Sequence, residues 1–451
     1  MSADYFHTRR HSRLYAVLKP LVKAGTLLFH RKIVIGGAHH LPAEGPVLLV
    51  ANHQNAMLDP VILCVLFDRQ LHWLTRSDVF ANRKVRKILF QFNMLPVYRE
   101  RDRARVPDWA ERNQRTFDTC YARWKENAVV AMFPEGTHRG KKQLHIPLKK
   151  GAARLVFGAA KSGVPMSAFR IVPVGLDYSD YFKPGGKLIV SIGKPLAVKD
   201  ILNDYADDET IGSNQLTEVI REALTAEMID IRAGHDYDEY MALRGLSEDV
   251  SGKKDDHQRL HWYLGVLDYL HHHADDDDKQ LVRDYAHATT RLKLDEAGIS
   301  FASESAGTRF AAVLFLWLVF PVRTVARLMW LPFTSLVEWF ISTRIKDSLF
   351  FNSIRLSAWT FMAPLYAALL GILTYLFTCN LPLVLGVMLT LTVGGWLTMK
   401  WNHLFHLVRK SRRFRLISKS PGREMQEWTE LRNLLSKKLR HWHEESSKTR
   451  R

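Results

Sequence analysis

Cysteine is scarce in this chain of 451 residues: there are three, Cys64, Cys120 and Cys379, and no two form a C-x-x-C pair. That excludes a disulfide framework and a cysteine-built zinc site, and it fits a reducing compartment. The sequence also lacks a G-x-S-x-G turn and an H-E-x-x-H helix, so neither a serine-elbow hydrolase nor a zinc protease is indicated. The formal charge of +18, from 64 Lys+Arg against 46 Asp+Glu, calls for an anionic partner. No zinc-finger spacing, helix-turn-helix pattern or aromatic-basic RNA signature accompanies it, which sets nucleic acid aside. Residues 1–13 are polar and basic without an apolar core and cleavage pattern, a reading against a secretory signal by which the catalytic part is expected to stay cytosolic.

What is present is apolar surplus: 47% of residues are hydrophobic, enough for an α/β core and a second apolar region. Residues 14–29 carry apolar positions at mixed spacings of three and four, as in an amphipathic helix lying on a membrane or packed on the domain. Residues 32–36 read as a short strand and 45–51 as a buried one. Further apolar runs at 72–74, 129–133, 171–174 and 187–192 alternate with helix-like stretches such as 113–125 and 151–161. That alternation predicts an α/β domain over 32–200. Residues 201–305 turn polar and helix-prone, for example at 215–228 and 257–270. Inside them, His271, His272 and His273 precede Asp275 to Asp278, a set of metal-ligand types. Adjacent imidazoles do not converge on one ion, so a solvated loop without metal is expected.

Beyond Arg309 the chain becomes apolar. Residues 310–320 and 328–341 are each too short to span a bilayer and are separated by Arg323 and Arg327, which suggests an interfacial or re-entrant helix pair within a membrane-associated region, 306–410. Residues 358–377 and 381–399 hold no charge, and each is long enough as a helix to cross a ~30 Å hydrocarbon core. Basic flanks at 344–355 and 400–415 predict a transmembrane hairpin open to the cytosol; a helical pair inside a large soluble core is the alternative. The basic tail, 411–451, with Trp428 and Trp442, suits anionic lipid or a solvated helix equally.

Three motifs sit where predicted strands end. Val50-Ala51-Asn52-His53 leads to Asp59-Pro60, where Asp59 is well placed as a helix N-cap or as a partner of His53. A second strand ends in Phe133-Pro134-Glu135-Gly136-Thr137-His138-Arg139. A third ends in Pro96-Val97-Tyr98-Arg99, whose guanidinium fork suits a phosphate, although a charged turn explains it too. Ligands of open α/β sheets bind at such strand ends, so the turns are expected to share one site.

Taken together, these motifs, with the segments Leu74 to Phe80, Leu148-Lys149-Lys150-Gly151 and Val172-Pro173-Val174-Gly175, resemble the glycerolipid acyltransferases of the PlsC type over residues 33–195. Several motifs in the family's order are far more specific than one. The resemblance implies a mixed sheet flanked by helices and transfer of a fatty acyl group from a thioester to a glycerol-phosphate acceptor in phospholipid biosynthesis; the basic flanks of the hairpin add the expectation of an integral membrane protein with its catalytic domain on the cytoplasmic face. The resemblance also implies His53 and Asp59 as catalytic residues, Glu135 and Gly136 near the glycerol, phosphate neutralisation by Arg99, Arg76, Arg139 or Lys150, and an acyl channel past Val172, Pro173 and Val174. Two features depart from the family pattern. Five residues separate His53 from Asp59, one more than usual and shared with glycerol-3-phosphate and dihydroxyacetone-phosphate acyltransferase-like members. His138 stands between Thr137 and the arginine, so Lys141, Lys142 or Arg99 are alternatives to Arg139 at the phosphate.

The expected chemistry is direct attack of the acceptor hydroxyl on the thioester carbonyl, with His53 as general base and Asp59 fixing its tautomer. It needs no nucleophilic serine or cysteine, no metal and no organic cofactor; acyl-CoA or acyl carrier protein serves as donor substrate. The partners are then the donor, a glycerol phosphate, dihydroxyacetone phosphate or lysophospholipid acceptor, and membrane lipid. An inactive membrane-tethered lipid-binding protein of the same fold is the rival.

Overall fold

A run such as Val47–Ala51 has no polar side chain to keep either face in water, so it is stable only in a sheet covered on both sides. The computed structural model, which describes residues 12–100, 103–232 and 234–449, places it there. All but the last two residues of the 1–13 segment, and with them the signal-peptide reading, lie outside the described residues. The strands are β1 (Lys32–Gly36), β2 (Val47–Ala51), β3 (Leu71–Arg76), β4 (Met94–Val97), β5 (Val129–Met132), β6 (Arg170–Tyr178), β7 (Lys187–Ile192) and β8 (Leu196–Ala197). They form one sheet in the order β1-β7-β6-β2-β5-β3-β4, with β8 beside β6. Strands β2 to β6 share one direction, while β7 is antiparallel to β6 and β1 runs with β7. The sheet is therefore mixed, as the resemblance implied.

Alternation along β2 feeds two cores. Leu48 and Val50 face one that holds Trp124 of α4 (Trp109–Lys125), Phe157 of α5 (Gly151–Lys161) and Ile220 of α7 (Glu209–Thr225). Val47, Leu49 and Ala51 face the other, with Phe29 of α1 (Arg13–Phe29), Ile62 of α2 (Leu58–Leu66) and Trp73. Each buried Val or Leu is worth roughly 1.5–3 kcal/mol, and a one-residue slip would exchange all five side chains between faces, so the register is firmly set. Helix α1 packs on this domain: Tyr15 is buried and its hydroxyl donates to Cys64 O at 3.0 Å. The short α3 (Arg83–Gln91) and α6 (Lys199–Asp204) complete the set.

The chain divides into two compact units: Met1–Ile229 with Asp347–Leu356, and Asp230–Lys346 with Ser357–Arg451. In the second, α8 (Tyr237–Val250), α9 (Asp256–His272), α10 (Asp276–Leu292), α11 (Glu296–Ser303) and the C-terminal helix α16 (Arg423–Thr449) form a bundle. The His/Asp run is no solvated loop. His271 and His272 close α9, Asp275 caps α10, and Asp276 to Asp278 fill its first turn, where carboxylates oppose the helix dipole. The tail from Arg423 is a helix docked in this bundle: Trp428, Leu435, Leu439 and Trp442 are buried at helical spacing, and Arg432 bonds Glu296 and Asp249.

Among the described residues three helices are long and apolar enough to cross a membrane: Ala306–Arg344, Ser348–Thr378 and Leu381–Lys419. The expected interfacial helix pair is one helix, α12 (Ala306–Arg344), running through Pro321 and Pro332. Arg323 does not break it, because its guanidinium lies 3.9 Å over the Trp401 ring and bonds Asn402. Next, α13 (Phe351–Ser357) passes through one π-helical turn into α14 (Ala363–Thr378), and α15 (Leu381–Lys419) follows after the Cys379-Asn380 turn.

Candidate active site

Parallel strands end on the same edge, so β2, β3, β4, β5 and β6 deliver His53, Arg76, Arg99, Glu135 and Tyr178 to one side of the sheet. Asn52 extends the β2–β6 pairing: its amide donates to Leu176 O at 3.0 Å and its oxygen accepts from Leu176 N at 2.7 Å. His53 is thereby fixed at a strand end. Its Nδ1 lies 2.8 Å from Asp59 Oδ2, and that oxygen also accepts from Gln54 N at 2.7 Å and Asn55 N at 2.8 Å. The Tyr178 hydroxyl donates to the other oxygen at 2.7 Å.

Asp59 is not the helix cap that its place before Pro60 suggested. Helix α2 starts at Leu58 behind Met57, and the carboxylate turns back to the amides of the preceding turn. Exposure separates the pair: the His53 side chain keeps 15% of its surface accessible and that of Asp59 keeps none. A base has to be reached by substrate, and a carboxylate that polarises it works best sealed from water.

Three rings hold the imidazole. Phe133 stacks on it at 4.0 Å and 5°, Trp73 stacks behind Phe133 at 4.8 Å, and His138 meets His53 edge-on at 5.2 Å. Glu135 ties the two motif turns together, Oε1 accepting from His53 N at 2.6 Å and Oε2 from His145 N at 2.8 Å.

Residues 32–177 match the family model described as Acyltransferase. Over these residues the chain is similar to the acyltransferase family. A 1-acyl-sn-glycerol-3-phosphate acyltransferase of Bacillus subtilis (strain 168) is 26% identical over 162 residues, which cover 36% of this chain and 72% of that protein. The crystal structure of the 1-acyl-sn-glycerophosphate (LPA) acyltransferase PlsC from Thermotoga maritima shares 20% identity, covering 47% of this chain and 78% of that one, with a TM-score of 0.33.

Within this acyltransferase domain the cationic candidates fall into separate groups. Arg76 is half exposed and pairs with Asp78; that bond first, and the charges of Arg76 and Arg99 after it, hold the Asp78 carboxyl below its usual range against its burial. Arg139 and Lys149 gather around His145, whose pKa is lowered by burial first and then by these two charges. Gly136, in the left-handed region at φ 69°, backs onto the Lys149 stem. Lys150 instead precedes α5 and shares a shallow cleft of about 590 Å³ with Arg154, Lys161 and Tyr121. Lys142 is buried: its ammonium pairs with Asp177 and donates to Tyr178 O at 2.7 Å, which pins the loop between β5 and α5. Val172 and Val174 are core residues and Pro173 is buried between them in β6.

Sequence reading missed Tyr178, for it lies 119 positions from Asp59 and carries no motif. Burial first, and the Asp59 charge second, push its phenol pKa well above the ordinary value, so it stays a donor at any working pH. Tyr178→Phe is expected to leave one carboxylate oxygen of Asp59 unpaired and to cost about 1.5–3 kcal/mol of stability, read as a lower thermal midpoint.

Proposed function

We propose that the chain transfers a fatty acyl group from an acyl thioester to the hydroxyl of 1-acylglycerol-3-phosphate or glycerol-3-phosphate, as an early step of phospholipid synthesis. The observation that carries this reading is the His53–Asp59 pair at a strand end, with the carboxylate buried under three further donors. Nδ1–H bonded to Asp59 leaves Nε2 as the acceptor, which takes the proton from the attacking hydroxyl. As the imidazolium forms, the buried carboxylate stabilises it. The tetrahedral intermediate collapses with loss of the thiolate, and the proton on His53 returns to that sulfur. Arg139 and Lys149 supply positive charge for the acceptor phosphate, because they crowd His145 on the glycine turn that follows β5.

The deciding experiment uses the purified full chain in detergent with radiolabelled acyl-CoA or acyl carrier protein. Glycerol-3-phosphate, dihydroxyacetone phosphate and 1-acylglycerol-3-phosphate are supplied separately. Labelled product with either glycerol phosphate supports the reading and names the acceptor; no transfer to any of them by folded protein sinks it.

The same reading puts the basic flanks of the hairpin, residues 344–355 and 400–415, on the cytoplasmic face and the Cys379 turn on the other. Cys379 is exposed, whereas Cys64 and Cys120 sit in the catalytic unit. A membrane-impermeant maleimide is expected to label Cys379 from outside intact cells. Labelling only in inverted vesicles would reject the hairpin.

A further inference from the structure

Residues Asp347–Leu356 follow the acyltransferase motifs by some two hundred positions and, from Ser348 on, open a long apolar helix, yet they fold into the catalytic unit. Their attachment is specific at both ends. At one end, Asp347 Oδ2 lies 2.9 Å from His138 Nε2, and Asp347 Oδ1 accepts from Leu349 N at 2.9 Å, so the carboxylate starts the segment's first turn and bonds His138 together. Phe350 sets its ring edge-on to His138 at 5.6 Å. Leu349 is buried against Gly140, which has φ 62° and no room for a Cβ beside Leu349. At the other end, the Asn352 amide donates to Tyr181 O at 2.9 Å, the carbonyl that also accepts from Asn55 beside His53 at 3.2 Å. Arg355 donates to Phe182 O at 2.6 Å, and Leu356 enters the core that holds Leu58 and Tyr178.

We infer that Asp347–Leu356 is a wall of the active site, and that Asp347 is a positioning residue that acts on His53 through His138. This rests on the proposed reaction. Phe133 limits the His53 ring on one face, Asp59 fixes its Nδ1, and His138 supplies an edge contact. His138 is partly exposed and loses the hydrogen bond at its Nε2 when Asp347 is removed. The carboxyl of Asp347 sits below its usual range: burial alone would raise it, and the bonds from His138 and the Leu349 amide outweigh that. It therefore remains an anionic acceptor wherever the enzyme works. This explains the histidine that interrupts the family's Thr-Arg order: it is the residue through which a distant segment reaches the base.

The test is a double-mutant cycle on the purified full chain. Asp347→Asn and His138→Ala are each expected to lower kcat about tenfold with the acceptor KM nearly unchanged, because the base is misaimed while binding is intact. The double variant should be no slower than His138→Ala alone. Wild-type kcat in Asp347→Asn, or a double variant slowed by the product of the two single effects, would overturn the inference. Hydrogen exchange read by mass spectrometry supplies a readout independent of activity. Asp347→Asn should speed exchange in residues 135–142 as well as in 347–356; unchanged exchange at 135–142 counts against the coupling. An inactive wild type that shows this coupled exchange would remove the proposed reaction and leave the wall standing.

Discussion

His53→Gln is expected to lower kcat by about 10³-fold, in the range that a positioned general base contributes, while the thermal midpoint hardly moves. Glutamine fills similar space and retains a polar end, and Asp59 keeps its bonds from Gln54 N, Asn55 N and Tyr178, so the turn survives. Asp59→Asn should do less damage, about 10²-fold. Three N–H groups converge where Oδ2 stands, so the asparagine must place its oxygen there and its amino group toward Tyr178. The histidine tautomer is then preserved, and what is lost is the negative charge that stabilises imidazolium, not the ring's orientation. Single-turnover rates across pH for both variants check this. Asp59→Asn falling as far as His53→Gln would mean that the tautomer had flipped.

Lys142→Met carries the largest expected stability loss. Both members of the Lys142–Asp177 pair are almost fully buried, and removing the cation leaves a charge without its main partner in a low-dielectric site. Breaking such a pair costs about 3–5 kcal/mol. For a unit of this size that is on the order of a 10 °C fall in melting temperature. The double variant Lys142→Met/Asp177→Leu should recover most of the loss, since two apolar residues need no pairing. Thermal melts of the three proteins decide it. A double variant as unstable as the single one would show that the loop depends on the donation to Tyr178 O and not on the charge balance.

Legibility in the sequence followed the range of the interaction. Strands β1 and β7 and helix α5 were readable to the residue because the alternation and the flanking glycines are local. His53 and Asp59 were readable because their motif lies within one turn of chain. The interfacial helix pair was misjudged because Arg323 and Arg327 look like breaks, whereas Arg323 finds Trp401 and Asn402, some eighty positions away. The docking of the tail was not legible because basic residues dominate its composition, although its apolar residues recur at helical spacing and are buried in the bundle. Tyr178 on Asp59, Lys142 on Asp177 and Asp347 on His138 join residues far apart in the chain, with no periodicity or motif to announce them.

The return of Asp347–Leu356 also bears on the order in which the protein can be completed. The first 229 residues supply the eight described strands and the His53–Asp59 pair, yet the core around Leu58 and Tyr178 stays without Leu356, and His138 without Asp347, until α12 has been made. A chain cut anywhere before Leu356 is therefore a catalytic unit with an open seam, however complete its motifs are.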